Sequence, residues 1–106
     1  MMKTVVFGCV LAALLPAAPT GSAEDGKQVY NKSCRTCHGA DGNGNPGLAK
    51  VMKVQFRPLG SQEVQAKTDD ELKKIITRGT GKMKPVNGLS AKQVDDVVAY
   101  LRSLKK

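Results

Sequence analysis

The chain has 106 residues, with 17 lysines and arginines against 9 acidic residues, a formal net charge of +8, 4% aromatic residues and no tryptophan. This length holds one domain and excludes a multidomain protein. The basic balance favours acidic proteins or anionic surfaces as partners. Nucleic acid is not expected, because the sequence has neither a nucleic-acid-reading motif nor an aromatic stacking platform.

Residues 1–23 have the pattern of a secretory signal peptide, in which a lysine precedes an apolar run and small residues precede the cut. The run over residues 5–18 is shorter than the roughly 20 apolar residues of a membrane-spanning helix. Cys9 lies inside this run and is expected to be removed with it. We therefore predict a periplasmic protein whose single domain covers residues 24–106, with no stable membrane insertion after cleavage.

The first half of this domain predicts one helix and a loop. The segment EDGKQVYNKSCRTCH has acidic residues in its first turn and apolar residues at helical spacing, which indicates a short helix that carries the cysteines. The stretch GADGNGNPG that follows consists of turn formers. Its alternating Asp and Asn side chains resemble the start of a calcium loop, but Pro46 and Met52 stand where such a loop needs Gly and Glu. LAKVMKVQF then predicts one or two helical turns.

The second half predicts two longer helices. In TDDELKKIITRG, Thr68 and Glu71 have the spacing of a capping box, and Gly79 ends the helix. In SAKQVDDVVAYLRSLKK, Ser90 and Gln93 form a second such pair, and an apolar stripe follows: Val94, Val97, Val98, Leu101 and Leu104. GTGKMKPVNGL, between these helices, predicts an exposed loop. The expected fold is all-α, with three main helices and long loops.

The motif SCRTCHG, at residues 33–39, carries the chemistry. A thioredoxin-like dithiol needs a preceding strand, and no strand pattern is present. A zinc site needs four ligands, whereas the domain offers Cys34, Cys37 and His38. A disulfide would close only a very small loop and would leave the weak core unexplained. The remaining interpretation is a covalent haem c, attached through both thiols with His38 as the proximal iron ligand.

CRTCHG near the start of the domain, GKMKP in a loop between two helices and VVAYLRSL in the last helix together resemble the class I monohaem cytochromes c. The resemblance runs from Gly26 to Leu104. It implies a small cytochrome c fold around one covalently bound haem, with Gly26 and Tyr30 packed against the last helix at Val97, Tyr100 and Leu101. It also implies that Met83 is the sixth iron ligand.

The position of Met83 supports this assignment. A methionine is by default a core filler, and Met52, in an amphipathic run, fits that role. Met83 lies between two lysines in a Gly-rich loop, so a specific bond would explain it. One departure is that Lys84 separates Met83 from Pro85, whereas in the family proline commonly follows the ligand directly. The path of this loop is therefore expected to differ slightly.

Two further haem contacts are weaker candidates. The resemblance implies that a proline carbonyl after the motif accepts a hydrogen bond from the proximal imidazole, and Pro46 is the candidate, although it also fits a simple turn. Arg57 is a candidate for binding a haem propionate, although arginine on a solvated loop is commoner.

His and Met together would fill both axial positions, so the expected function is electron transfer rather than catalysis. The protein is expected to be a monomer that binds acidic redox proteins transiently. The cations expected to contact them lie near the cysteine motif and near the loop that contains Met83: Lys32, Arg35, Lys50, Lys82 and Lys84. Two alternatives stay open. One is a haem peroxidase or gas sensor with an open sixth site, and the other is a haem module that docks permanently on a larger oxidoreductase.

Overall fold

The computed structural model describes residues 21–106 together with Gly8, and the fold of residues 21–106 is all-α, as the sequence predicts. The remainder of the predicted signal peptide lies outside the described residues. The helices in chain order are α1 (Ala23–Ser33), α2 (Arg35–His38), α3 (Pro46–Met52), α4 (Gln62–Gln65), α5 (Asp69–Arg78) and α6 (Ala91–Ser103). No helix among residues 21–106 is long and apolar enough to cross a membrane.

The three main helices begin at side-chain caps. At α6 the predicted capping box forms in full: Ser90 Oγ accepts from the Gln93 amide at 3.1 Å and Gln93 Oε1 accepts from the Ser90 amide at 2.9 Å. At α5 only the first half forms, since Thr68 accepts from the backbone of Glu71. Helix α1 begins at Ala23 with Ser22 as its cap, so two residues that the sequence assigns to the leader belong to this helix start.

The core forms where α1 crosses α6 and where α5 packs beside them. Gly26 allows the backbones of α1 and α6 to approach closely, because a Cβ at this position would lie 1.9 Å from the Asp96 carbonyl oxygen. Tyr30 and Val97 are fully buried at the crossing, and the Tyr30 ring lies 5.1 Å from that of Tyr100. The predicted packing of the first helix on the last is therefore confirmed.

Polar contacts fix the ends of this packing. The Arg102 guanidinium donates to the carbonyls of Gln65 and Lys67, at 2.8 and 2.6 Å, and pairs with Asp69. These bonds hold the connection between α4 and α5 against α6. On the other side of α6, the buried Asp96 carboxylate accepts from the Ser22 amide at 2.8 Å and pairs with Lys92. The residues that precede α1 are thereby tied to the core.

Candidate haem site

An apolar cavity of about 620 Å³ lies beside this core. One wall comes from the end of α1 and from α2, and it includes Cys34, Cys37 and His38. A second wall comes from α3 and the segment after it, including Leu48, Met52, Val54 and Phe56. The third is the loop of residues 82–86, which contains Met83. The structure therefore brings the two cysteines, the histidine and both candidate methionines to one cavity.

The short helix α2 places the cysteine motif. Tyr30, fixed in the core, donates from its hydroxyl to the Gly39 carbonyl at 2.6 Å, directly after His38. The loop after the motif is bonded back to it, with the Gly44 amide donating to the His38 carbonyl at 2.7 Å and the Asn45 amide to the Cys37 carbonyl at 2.9 Å. The backbone on both sides of His38 is thus held by the packed part of the fold.

The protonation state of His38 at this wall suits metal binding. Burial lowers the pKa of His38, so the neutral imidazole, which is the form that binds metals, dominates at neutral pH. Burial also raises the pKa of the Cys34 thiol to about 11. Both Cys34 and Cys37 are free thiols. No cluster of three or more His, Cys, Asp or Glu side chains suited to a metal ion occurs among the described residues.

The loop that carries Met83 is braced by its own backbone. Thr80 and Met83 exchange two hydrogen bonds, at 2.9 and 3.0 Å, and the Val86 amide donates to the Ile76 carbonyl at the end of α5. Gly79 turns the chain with φ of +74°, and a Cβ there would lie 2.5 Å from the Met83 carbonyl oxygen. The cavity wall includes Met83, Lys84 and Pro85, so the extra lysine is accommodated without removing Met83 from the site.

The two weaker candidates lie elsewhere in the structure. Pro46 is the first residue of α3, and the buried His38 Nδ1 has no hydrogen-bond partner among the described residues, so the expected bond to the Pro46 carbonyl is not formed. Arg57 pairs with Glu63 at 2.6 Å on the surface and does not line the cavity. Its role toward a propionate stays a prediction.

Sequence reasoning gave Met52 a packing role but did not identify Leu48 and Phe56 as residues of the second wall. Leu48 and Met52 are four residues apart on α3, and this spacing could have indicated a shared face. Phe56 follows α3, and its ring lies 5.7 Å from the His38 ring in an edge-on arrangement. No periodic signal marks Phe56, because its position depends on the path of an irregular segment.

The cavity fits a haem by its donor set: two thiols three residues apart, an adjacent neutral imidazole and a thioether, in an apolar enclosure of the size usual for cofactor sites. Fold and site together define a c-type cytochrome. The sequence profile of the family described as "Cytochrome C oxidase, cbb3-type, subunit III" matches residues 21–101, and the chain belongs to this cytochrome c family. The resemblance seen in the sequence is thereby confirmed, and membership implies covalently bound haem c.

Individual relatives agree with this assignment. Cytochrome c-554(547) of Halothiobacillus neapolitanus is 32% identical, with 80% of this chain and 99% of the relative covered. Cytochrome c-555 of Methylococcus capsulatus is 24% identical, with 95% and 77% covered. Among solved structures, the KustC0563 c-type cytochrome is 33% identical with a TM-score of 0.67, with 77% of this chain and 99% of that one covered. A chain of the Kuenenia stuttgartiensis reducing HAO-like protein complex is 28% identical with a TM-score of 0.65, with 85% of this chain and 46% of that one covered.

One prediction concerns Tyr30, which holds the backbone beside His38. Burial of its hydroxyl raises the pKa of Tyr30 from 10.0 to about 12. Because the folded state favours the protonated phenol, this contribution to stability is present below pH 10 and is lost as the pH rises toward 12. Tyr30→Phe leaves the Gly39 carbonyl without its donor and should lower the free energy of unfolding at neutral pH by about 1–2 kcal/mol.

Urea denaturation of the haem-loaded protein at increasing pH checks this expectation. The wild type should lose stability between pH 10 and 12, and Tyr30→Phe should lose less over the same interval. Tyr100→Phe is the control. It removes a hydroxyl from the ring that packs on Tyr30 and leaves the bond from Tyr30 to Gly39 intact. If the free energy of unfolding fell equally with pH in the wild type and in Tyr30→Phe, the proposed role of this hydroxyl would be wrong.

Proposed function

We propose that the protein is a monomeric periplasmic electron carrier, which moves one electron at a time between redox partners through a single haem c. The haem is attached through Cys34 and Cys37, and its iron is held by His38 and Met83. The observation that supports this most directly is the meeting of these four side chains at one apolar cavity. The names of the relatives, cytochromes c-555 and c-554(547), agree with the proposal.

In this function the polypeptide holds the two proposed iron ligands, His38 and Met83, in place. Bound haem supplies a one-electron iron couple, and a thioether ligand favours its reduced form. The bonds around Gly39, Gly44 and Asn45 fix the imidazole side, and the Thr80–Met83 pair fixes the thioether side. Because hydrogen bonds hold the backbone on both sides, little rearrangement is expected when the oxidation state changes.

The alternative with an open sixth site makes a different prediction for the haem-loaded wild type. An electron carrier with two protein ligands should be low-spin in both oxidation states, and its reduced form should ignore carbon monoxide. The optical spectra of the oxidised and reduced protein, with carbon monoxide added to the reduced form, make this test. Ready binding of carbon monoxide by the wild type would refute the proposal and favour the peroxidase or gas-sensor function.

The charges at the cavity support acidic partners. The ion pairs in the described part of the chain use Arg57, Lys73, Lys92 and Arg102, and none of these residues lines the cavity. Lys82 and Lys84 do line it and make no ion pair there. Cations that are not neutralised beside the proposed haem edge would attract an acidic surface and speed its encounter.

Small charged redox probes test this local field without a known partner. Oxidation of the reduced protein by anionic hexacyanoferrate(III) should slow with ionic strength, whereas oxidation by cationic tris(1,10-phenanthroline)cobalt(III) should speed up. Lys84→Gln should slow the anionic reaction by about twofold at low salt. Lys74→Gln removes the same charge from α5, which does not line the cavity, and should have a smaller effect. Equal effects of the two variants would overturn the proposed docking site.

The similarity to a chain of the HAO-like complex raises the question of permanent docking. This chain spans less than half of that neighbour, so the likeness covers only part of it. Sedimentation of the haem-loaded protein separates the possibilities, because a carrier should sediment as a monomer at all concentrations tested. Self-association or stable co-purification with an oxidoreductase would favour the docked module instead.

A further inference from the structure

Lys82 connects two walls of the cavity. Its ammonium group donates to the Met52 carbonyl oxygen at 2.8 Å, although the two residues are 30 positions apart. Met52 is the last residue of α3, and Lys82 directly precedes Met83. Both residues line the cavity. This bond therefore joins the loop of residues 79–86, which contains Met83 and is called the methionine loop below, to helix α3 at the rim of the cavity.

The bond lies where a helix end needs a donor. The last carbonyls of a helix have no partner within it, and they form the negative end of its dipole. At α3 the Ala49 carbonyl accepts from the amides of Lys53 and Val54, as the chain turns through a left-handed conformation at Lys53. The Met52 carbonyl instead accepts from Lys82. An ammonium group suits this position by both charge and hydrogen bonding.

The other bonds of the methionine loop leave one side unattached. The Thr80–Met83 pair is local, and the Val86–Ile76 bond ties the far end of the loop to α5. The bond from Lys82 attaches the loop to α3 and acts one residue from the thioether. Without it, Met83 could move outward while the rest of the fold remained in place.

We propose that Lys82 is a positioning residue, which holds the methionine loop against α3 and so keeps Met83 at the iron in the haem-loaded protein. This inference rests on the proposed ligation by Met83. In this proposal Lys82 acts through the Met52 carbonyl and is not itself an iron ligand. Its effect is on the equilibrium between a closed loop, with Met83 bound, and an open loop that admits an external ligand.

Binding of imidazole to the oxidised, haem-loaded protein tests the proposal, because imidazole can bind only when Met83 leaves. Lys82→Ala should raise the apparent affinity for imidazole by about two- to fivefold, the range expected for one hydrogen bond at an exposed site. Lys82→Arg keeps a donor of similar reach and should restore an affinity near that of the wild type. The midpoint of thermal unfolding should change little, since the core contacts are unaffected.

The matched control is Lys84→Ala, which removes the same charge on the other side of Met83 without removing the bond to α3. If both alanine variants raise imidazole affinity equally, the effect is one of net charge and the inference is wrong. If neither alanine variant raises the affinity for imidazole, and the reduced wild type does not bind carbon monoxide, this inference fails and the proposed function stands. A wild type that binds carbon monoxide readily would refute the proposed function first.

Discussion

Gly26→Ala is expected to lower the free energy of unfolding by about 3–5 kcal/mol, or to prevent recovery of haem-loaded protein. Helix propensity alone predicts the opposite, since alanine is favoured over glycine inside a helix by about 1 kcal/mol. The reason is the crossing of α1 on α6. A Cβ on Gly26 would lie 1.9 Å from the Asp96 carbonyl oxygen and 2.9 Å from Tyr100 Cβ.

The clash cannot be relieved locally. The nearest atoms belong to the backbone of α6, so one helix must move away from the other. Such a movement separates Tyr30 from Val97, the largest fully buried side chains among residues 21–106. It also shifts the Tyr30 hydroxyl from the Gly39 carbonyl, directly after His38. The substitution should therefore disturb the site as well as the core.

Gly47→Ala is the matched control. Gly47 also lies in a helix, α3, but a Cβ there would meet only Asn45 Oδ1, at an ordinary distance of 3.4 Å. This variant should be as stable as the wild type or slightly more stable. Urea denaturation of the haem-loaded proteins measures both effects. Equal stability of Gly26→Ala and Gly47→Ala would show that the close crossing does not limit stability.

The parts of the fold that could be predicted are those fixed by local signals. Ser90 and Gln93 mark the start of α6, and Thr68 and Gly79 mark the start and the end of α5. Such signals are readable because caps satisfy backbone groups within a few residues of each other. The sequence predicts one helix through the cysteine motif, whereas the structure divides it into α1 and α2 at Cys34. The sequence does not predict the four-residue helix α4, since a single turn is too short to show an apolar period. The formation of both short helices depends on contacts made by the rest of the fold.

The same distinction applies to the site. Cys34, Cys37 and His38 are adjacent in sequence, so their spacing alone indicates the chemistry. Phe56 and the bond from Lys82 to Met52 depend on how distant loops meet, which no local pattern encodes. Pro46 was expected to accept from His38, but its position at the start of α3 is set by the cap at Asn45. Contacts within the motif were predictable, and contacts across the cavity were not.

The choice between the two methionines leads to the largest functional prediction. Both Met52 and Met83 line the cavity, so the cavity alone does not distinguish them. Met52 projects from α3 together with Leu48, in an arrangement that also fits simple packing. Met83 lies in a loop that hydrogen bonds of Thr80 and Lys82 hold in place. A side chain that only fills space does not need to be positioned in this way. We therefore expect Met83 to be the ligand.

Met83→Ala should convert the protein from one that ignores carbon monoxide into one that binds it stoichiometrically when reduced, and its reduction potential should fall because the thioether no longer favours the reduced iron. Met52→Ala is the control. It should keep the low-spin spectrum and exclude carbon monoxide, while losing about 1–2 kcal/mol of stability through lost packing. Optical spectra with carbon monoxide and a redox titration measure these effects. The reverse pattern would make Met52 the ligand, and the bracing of the 79–86 loop would then serve the cavity wall rather than the iron.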